Sequence, residues 1–65
     1  MTVSLSMQIA SVKREIKMRE NVYYKQVSQR KMRQAEADHE IACMKAVLTT
    51  LEKLNEQGND QETSN

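Results

Sequence analysis

The chain has 65 residues and a formal net charge of +1. A chain this short forms at most one domain and buries little surface, so we expect association with another chain to stabilise it. The single cysteine, Cys43, excludes an internal disulfide, and one free thiol is typical of a reducing compartment. No apolar stretch reaches the ~18 residues of a membrane span, and the first residues lack a signal-peptide pattern. We therefore predict a cytoplasmic protein that makes no membrane contact.

The first predicted element is a helix over residues 4–27. Ser4 or Ser6 is placed to cap it, because a side-chain oxygen there accepts a hydrogen bond from the first helical turn. Apolar residues then recur at steps of four, three, four and seven, which places them on one helix face. They are Leu5, Ile9, Val12, Ile16 and Tyr23.

A second helix is predicted over residues 33–57. Its apolar residues recur at steps of four, three, four and three, and they are Ala37, Ile41, Met44, Leu48 and Leu51. Val47 and Leu54 widen this stripe. Gly58 is predicted to close the helix, because glycine adopts the left-handed conformation of a helix end. Residues 58–65 contain no apolar side chain and are predicted to form a disordered tail.

Both apolar stripes keep the same heptad frame. They can therefore be connected in two ways, as one long helix or as a hairpin. A continuous parallel coiled coil would bury five polar residues in succession, at a heavy desolvation cost. These residues are Arg19, Gln26, Arg30, Arg33 and Glu40. A turn at residues 28–32 avoids that burial, so we predict an all-α, antiparallel two-helix hairpin.

The hairpin alone leaves several apolar residues uncovered, namely Val3, Val22, Ile41, Val47 and Leu54. Two hairpins packed together would cover them, so we predict a homodimeric four-helix bundle. The predicted core of the hairpin or dimer is Leu5, Ile9, Val12, Ile16, Tyr23, Ile41, Met44, Val47, Leu48, Leu51 and Leu54. Folding between Gln29 and Arg30 is also expected to bring Arg19 near Glu40 and Glu15 near Lys45.

Charge divides the chain into a basic and an acidic half. Eight basic and two acidic residues lie between Lys13 and Arg33, whereas two basic and seven acidic residues follow. A basic block is typical of nucleic-acid binding. The other interpretation is that the two helices face each other and that their opposite charges neutralise one another. We favour it because the apolar pattern requires the same pairing of the helices.

Reactive side chains are few. His39 and Cys43 share a helix face, but a structural zinc site normally takes four protein ligands. We predict no catalytic residue, no metal and no cofactor. Tyrosine and arginine dominate protein-interface hot spots, and both types occur at the predicted turn. The candidate partner-binding residues are Arg19, Tyr24, Arg30, Lys31, Met32 and Arg33.

Residues 18–54 resemble a family of small helical proteins encoded by bacteriophages and prophages. The first-helix phrase of that family is matched by Met18, Arg19, Val22, Tyr23 and Val27, and its turn is matched by Lys31 and Met32. The second-helix phrase is matched by Ala37, Asp38, Glu40, Ile41, Ala42, Met44, Ala46, Val47, Thr50 and Leu51. The chain departs from the family at the turn, where Tyr24, Gln26 and Arg30 replace a proline, a tryptophan and a glycine.

The resemblance implies a small protein that binds and inhibits a host protein in the bacterial cytoplasm. Phage anti-quorum-sensing proteins, which bind a host transcription activator, are of this general type. The function predicted first is therefore a non-enzymatic inhibitor that binds a host protein, such as a transcription regulator. The alternatives are a small nucleic-acid-associated regulator that uses the basic first helix, and a structural coiled-coil adaptor.

Overall fold

A computed structural model describes the backbone of residues 2–64 and the side chains of residues 2–57. It contains two α-helices, α1 over Leu5–Ser28 and α2 over Gln34–Ser64. The helices pack against each other on either side of a turn, and residues 2–64 contain no strand. This arrangement confirms the predicted all-α two-helix hairpin and excludes one continuous helix.

A serine caps the N-terminus of helix α1. Ser4 has an extended backbone, and its Oγ accepts a hydrogen bond from the Met7 N–H at 3.2 Å. The Ser4 carbonyl accepts the first helical bond, from the Gln8 N–H at 3.0 Å. Of the two serines predicted as possible caps, Ser4 takes the role, because only its side chain lies one residue before the helix.

The turn is built on two backbone hydrogen bonds that close the end of α1. The Arg30 N–H donates to the Val27 carbonyl at 3.0 Å, and the Lys31 N–H donates to the Gln26 carbonyl at 2.8 Å. This pair of bonds is the Schellman motif, in which one residue adopts the left-handed conformation. Arg30 adopts it here, with φ of 62°, at a cost of about 1–2 kcal/mol for a non-glycine residue. Arginine thus occupies a position of the turn that usually takes glycine.

The boundaries of the turn lie one residue later than predicted, at residues 29–33 instead of 28–32. The one-residue delay moves facing residues by two positions. The observed pairing differs by more than that: Lys45 pairs with Glu20, five residues beyond the predicted Glu15, with 3.6 Å between Nζ and Oε2. The expected contact between Arg19 and Glu40 does not form.

Helix α2 also ends later than predicted. It continues through Gly58 to Ser64, whereas the sequence predicts an end at residue 57 and a disordered tail at residues 58–65. Glycine lowers helix stability by about 1 kcal/mol relative to alanine, but it keeps its backbone N–H, and no proline follows it. Gly58 therefore weakens the helix without ending it, and Asn65 lies outside the described residues.

Burial in the hairpin is shallow. Among the described side chains, the buried hydrophobic residues are Ile16 and Ala37, which expose 7% and 5% of their surface. The rest of the predicted core is half-buried, except for two exposed residues, Val47 and Leu54. The half-buried residues are Leu5, Ile9, Val12, Tyr23, Ile41, Met44, Leu48 and Leu51. With dimensions of 49 × 20 × 14 Å, the hairpin is too thin to cover both sides of this layer.

Candidate protein-binding surface

One broad side of the hairpin carries ion pairs that join the two helices. Lys13 Nζ lies 3.9 Å from Glu52 Oε2, and Lys45 Nζ lies 3.6 Å from Glu20 Oε2. These four residues define the ion-pair face. All four side chains are well exposed, so each pair contributes about 0–1 kcal/mol and mainly fixes how the helices align.

The opposite side carries exposed aliphatic residues, and the helical repeat explains why. Val22, Val47 and Leu54 each stand two residues after a member of the ion-pair face. Two residues rotate an α-helix by about 200°, so these side chains lie on the other side of the hairpin. Each of them exposes 47% of its surface. We call these three residues the apolar face.

The apolar face continues into the layer between the helices. Val47 stands three residues after Met44 and four before Leu51, a spacing at which helical side chains adjoin. Both neighbours are half-buried in the hairpin. A helix laid on this side would therefore contact exposed aliphatic groups and the edge of the core together.

Arg19 is held on the shaft of α1. Its Nε–H donates to Glu15 Oε1 at 2.9 Å, and its Nη1 lies 3.5 Å from the Tyr23 hydroxyl. The hydrogen bond to Glu15, followed by that to Tyr23, raises the pKa of Arg19 above its ordinary value, so the side chain stays charged. Arg19 is thus separated from the other candidate partner-binding residues.

Four of those candidates meet where the chain reverses. Arg30, Lys31 and Arg33 are exposed, Met32 is half-buried, and together they border a shallow depression of about 460 Å³. None of the three cations makes an ion pair among the described residues. We call these four residues the turn surface.

Tyr24 lies in a different place, beside a groove between the helices. The groove has a volume of about 510 Å³, and Tyr24 exposes 76% of its surface there. Apolar groups of both helices line it, among them Val27, Ala37 and Ile41. Glu20 and Lys45 also line it, so the groove opens on the ion-pair side. The sequence did not reveal this groove, because its outline depends on how the helices are aligned.

His39 and Cys43 are neighbours on α2, with 3.6 Å between His39 Nε2 and Cys43 Sγ. Both side chains are exposed. Within the described residues, no group of three His, Cys, Asp or Glu side chains lies close enough together to hold a metal ion. The two residues therefore form a contact on the surface of α2.

Comparison with known proteins yields no relative: no protein family, no curated protein and no solved structure matches the chain. Neither helix, over its described residues, has the long apolar stretch that a membrane crossing requires.

Proposed function

We propose that this protein acts by binding other proteins and that it inhibits a host protein without catalysing a reaction. One observation carries the proposal: three exposed aliphatic side chains lie on the same side of the hairpin. They are Val22, Val47 and Leu54, the apolar face, and each exposes 47% of its surface. Apolar groups exposed together on one side are typical of a surface that binds another protein.

The proposed assembly is a homodimer in which two apolar faces pack together as a four-helix bundle. Burying the exposed half of an aliphatic side chain contributes about 1 kcal/mol. Val22, Val47 and Leu54 of two chains would together contribute about 6 kcal/mol, a little more than the lower limit of about 4 kcal/mol for the cost of association. We expect a weak dimer that dissociates on dilution, which frees the apolar face of each chain for a host protein.

The host protein is proposed to be bound through helix-to-helix packing, the mode in which an amphipathic helix lies in an apolar groove. Inhibition would follow if the hairpin covers a functional surface or replaces a helix at the partner's own dimer interface. A transcription regulator, such as a quorum-sensing activator in the bacterial cytoplasm, fits this mode because such proteins assemble through helices. This choice of target is supported by the resemblance to phage-encoded proteins.

The test compares two substitutions that add the same charge on opposite sides of α2. Val47→Glu changes the apolar face, whereas Thr49→Glu changes an exposed position two residues further along. Tagged wild-type and variant proteins are used to capture proteins from a bacterial lysate, and the activity of the captured protein is then measured with each.

We expect wild type and Thr49→Glu to capture and inhibit the same host protein, and Val47→Glu to lose both effects. Circular dichroism checks that all three proteins keep the same helix content. If Val47→Glu captured and inhibited the host protein as well as Thr49→Glu does, the apolar face would not be the binding surface. If no host protein were inhibited by the wild type, the proposed function would be wrong.

A further inference from the structure

Positive charge is partly compensated along the shaft of the hairpin and uncompensated at the turn. The ion pairs of the described residues involve Lys13, Arg19 and Lys45, all of them on the helices. The segment from Lys25 to Arg33 carries four basic residues and no acidic residue. The turn therefore presents positive charge with no acidic residue among it.

The depression at the turn is also lined by apolar side chains. Val27 and Met32 line it together with Arg30, Lys31 and Arg33, and Glu36 is the one acidic residue among its lining residues. Both apolar side chains are half-buried, while the three cations are exposed. Cations and apolar groups that line one depression match a ligand that carries carboxylates beside an apolar side chain.

The backbone holds these side chains in place. The two Schellman hydrogen bonds fix Arg30 and Lys31 against the last turn of α1. The Arg33 carbonyl accepts the first hydrogen bond of α2, from the Ala37 N–H at 3.0 Å. Because the backbone is ordered before a partner arrives, the entropy lost in forming the contact is mainly that of the exposed side chains.

We infer that the turn surface binds an acidic segment of another protein, with carboxylates at Arg30, Lys31 and Arg33 and an apolar side chain on Val27 and Met32. This inference rests on the proposed function, because it gives the bound protein a second point of contact. A protein segment fits better than nucleic acid, because a phosphate backbone offers no apolar group to Val27 and Met32, which line the depression. The few cations at the turn also fall short of the 6–10 phosphate contacts of strongly salt-dependent DNA binders.

The experiment uses the full chain and three labelled probes. The first is a 12-residue peptide of Asp and Glu with a central Leu, and the second replaces that Leu with Ser. The third is a single-stranded 12-nucleotide DNA. Binding is followed by NMR chemical shifts of the ¹⁵N-labelled protein and by fluorescence anisotropy, at about 50 and 150 mM salt.

Two charge reversals form a matched pair for these measurements. Lys31→Glu changes the turn surface, and Lys17→Glu makes the same change on the shaft of α1. Both lysines are exposed and neither makes an ion pair among the described residues. Adding Arg33→Glu to Lys31→Glu gives a stronger version of the turn variant.

We expect the Leu peptide to bind more tightly than the Ser peptide and to shift resonances at residues 25–36. Lys31→Glu should weaken that binding about fivefold, because attraction becomes repulsion, while its matched control Lys17→Glu changes it less than about threefold. Adding Arg33→Glu to Lys31→Glu should raise the loss to about tenfold or more.

Three results would overturn the inference: equal binding of the Leu and Ser peptides, equal loss in the Lys17 variant, or binding of the DNA at least as tight as that of the Leu peptide. Each of them leaves the capture and inhibition of a host protein unaffected, so the two proposals can fail separately.

Discussion

The two broad sides of the hairpin differ in what their side chains do. On the ion-pair face, Lys13 meets Glu52 and Glu20 meets Lys45, so exposed groups of one helix are matched by groups of the other. On the apolar face, Val22, Val47 and Leu54 have no such match and remain half exposed. The difference shows how a chain too short for a full core divides its surface: one side carries the ion pairs that join the helices, and the other keeps exposed aliphatic groups.

The largest effect on stability is expected from a substitution in the apolar layer between the two helices. Ile16 is the most buried large side chain among the described residues, so Ile16→Asp places a carboxylate in the apolar layer between the helices. The expected loss is about 3–5 kcal/mol, which equals the whole stability of a typical domain of this size. Thermal unfolding followed by circular dichroism should show loss of cooperative structure.

Lys17→Asp is the control for that substitution, because it introduces the same residue one position away at an exposed site. It should keep a cooperative transition, with a loss below about 1 kcal/mol. A folded Ile16→Asp protein with the stability of the control would contradict the burial described here.

A smaller effect is expected on the apolar face itself. Val47→Glu should keep the helices and raise the dimer dissociation constant at least tenfold, since a charge would enter an aliphatic interface. Sedimentation equilibrium over a range of concentrations measures this change. Thr49→Glu should leave the dissociation constant within about threefold of wild type. Equal effects of the two substitutions would show that net charge, and not the apolar face, controls association.

A substitution at the turn is expected to increase the stability of the protein. Arg30→Gly removes the cost of a left-handed arginine and should raise the free energy of unfolding by about 1 kcal/mol. Chemical denaturation with urea measures the difference. Lys31→Gly is the control: Lys31 does not have a positive φ, so glycine there should give no gain. A gain of the same size in both variants would mean that strain at Arg30 is not the cause.

The smallest effect is expected on the ion-pair face. A double-mutant cycle of Glu20→Ala and Lys45→Ala should give a coupling of at most about 1 kcal/mol, which falls as salt is added. The charge-swapped pair, Glu20→Lys with Lys45→Glu, should restore most of it. A coupling that stayed constant between about 50 mM and 1 M salt would contradict the exposed, screened pair seen in the structure.

Much of the fold could be predicted because the apolar spacing is regular in both helices. Steps of three and four residues around Ile16 and around Met44 define two helix faces, and the cost of burying Arg30 and Arg33 favours a hairpin. The alignment of the helices could not be predicted. Both faces share one heptad frame, so several alignments match apolar residues equally well.

The turn and the candidate binding residues were harder to predict, for a local reason. Residues 29–33 contain neither proline nor glycine, so no residue type marks where the chain reverses. The sequence therefore predicts that the basic and aromatic residues near the turn form one binding surface. The direction of the helices separates them: Arg19 binds Glu15, Tyr24 lies beside the groove, and Arg30 stays at the turn.

Solution scattering combined with light scattering would test whether two closed hairpins associate. We expect a mass of two 7.5 kDa chains and a longest dimension near 50–60 Å, since each hairpin is 49 Å long and the two pack side by side. An elongated particle of about 90 Å, the length of a continuous helix over residues 5–64 at 1.5 Å per residue, would contradict the closed turn. A 7.5 kDa monomer at millimolar concentration would contradict pairing through the apolar face.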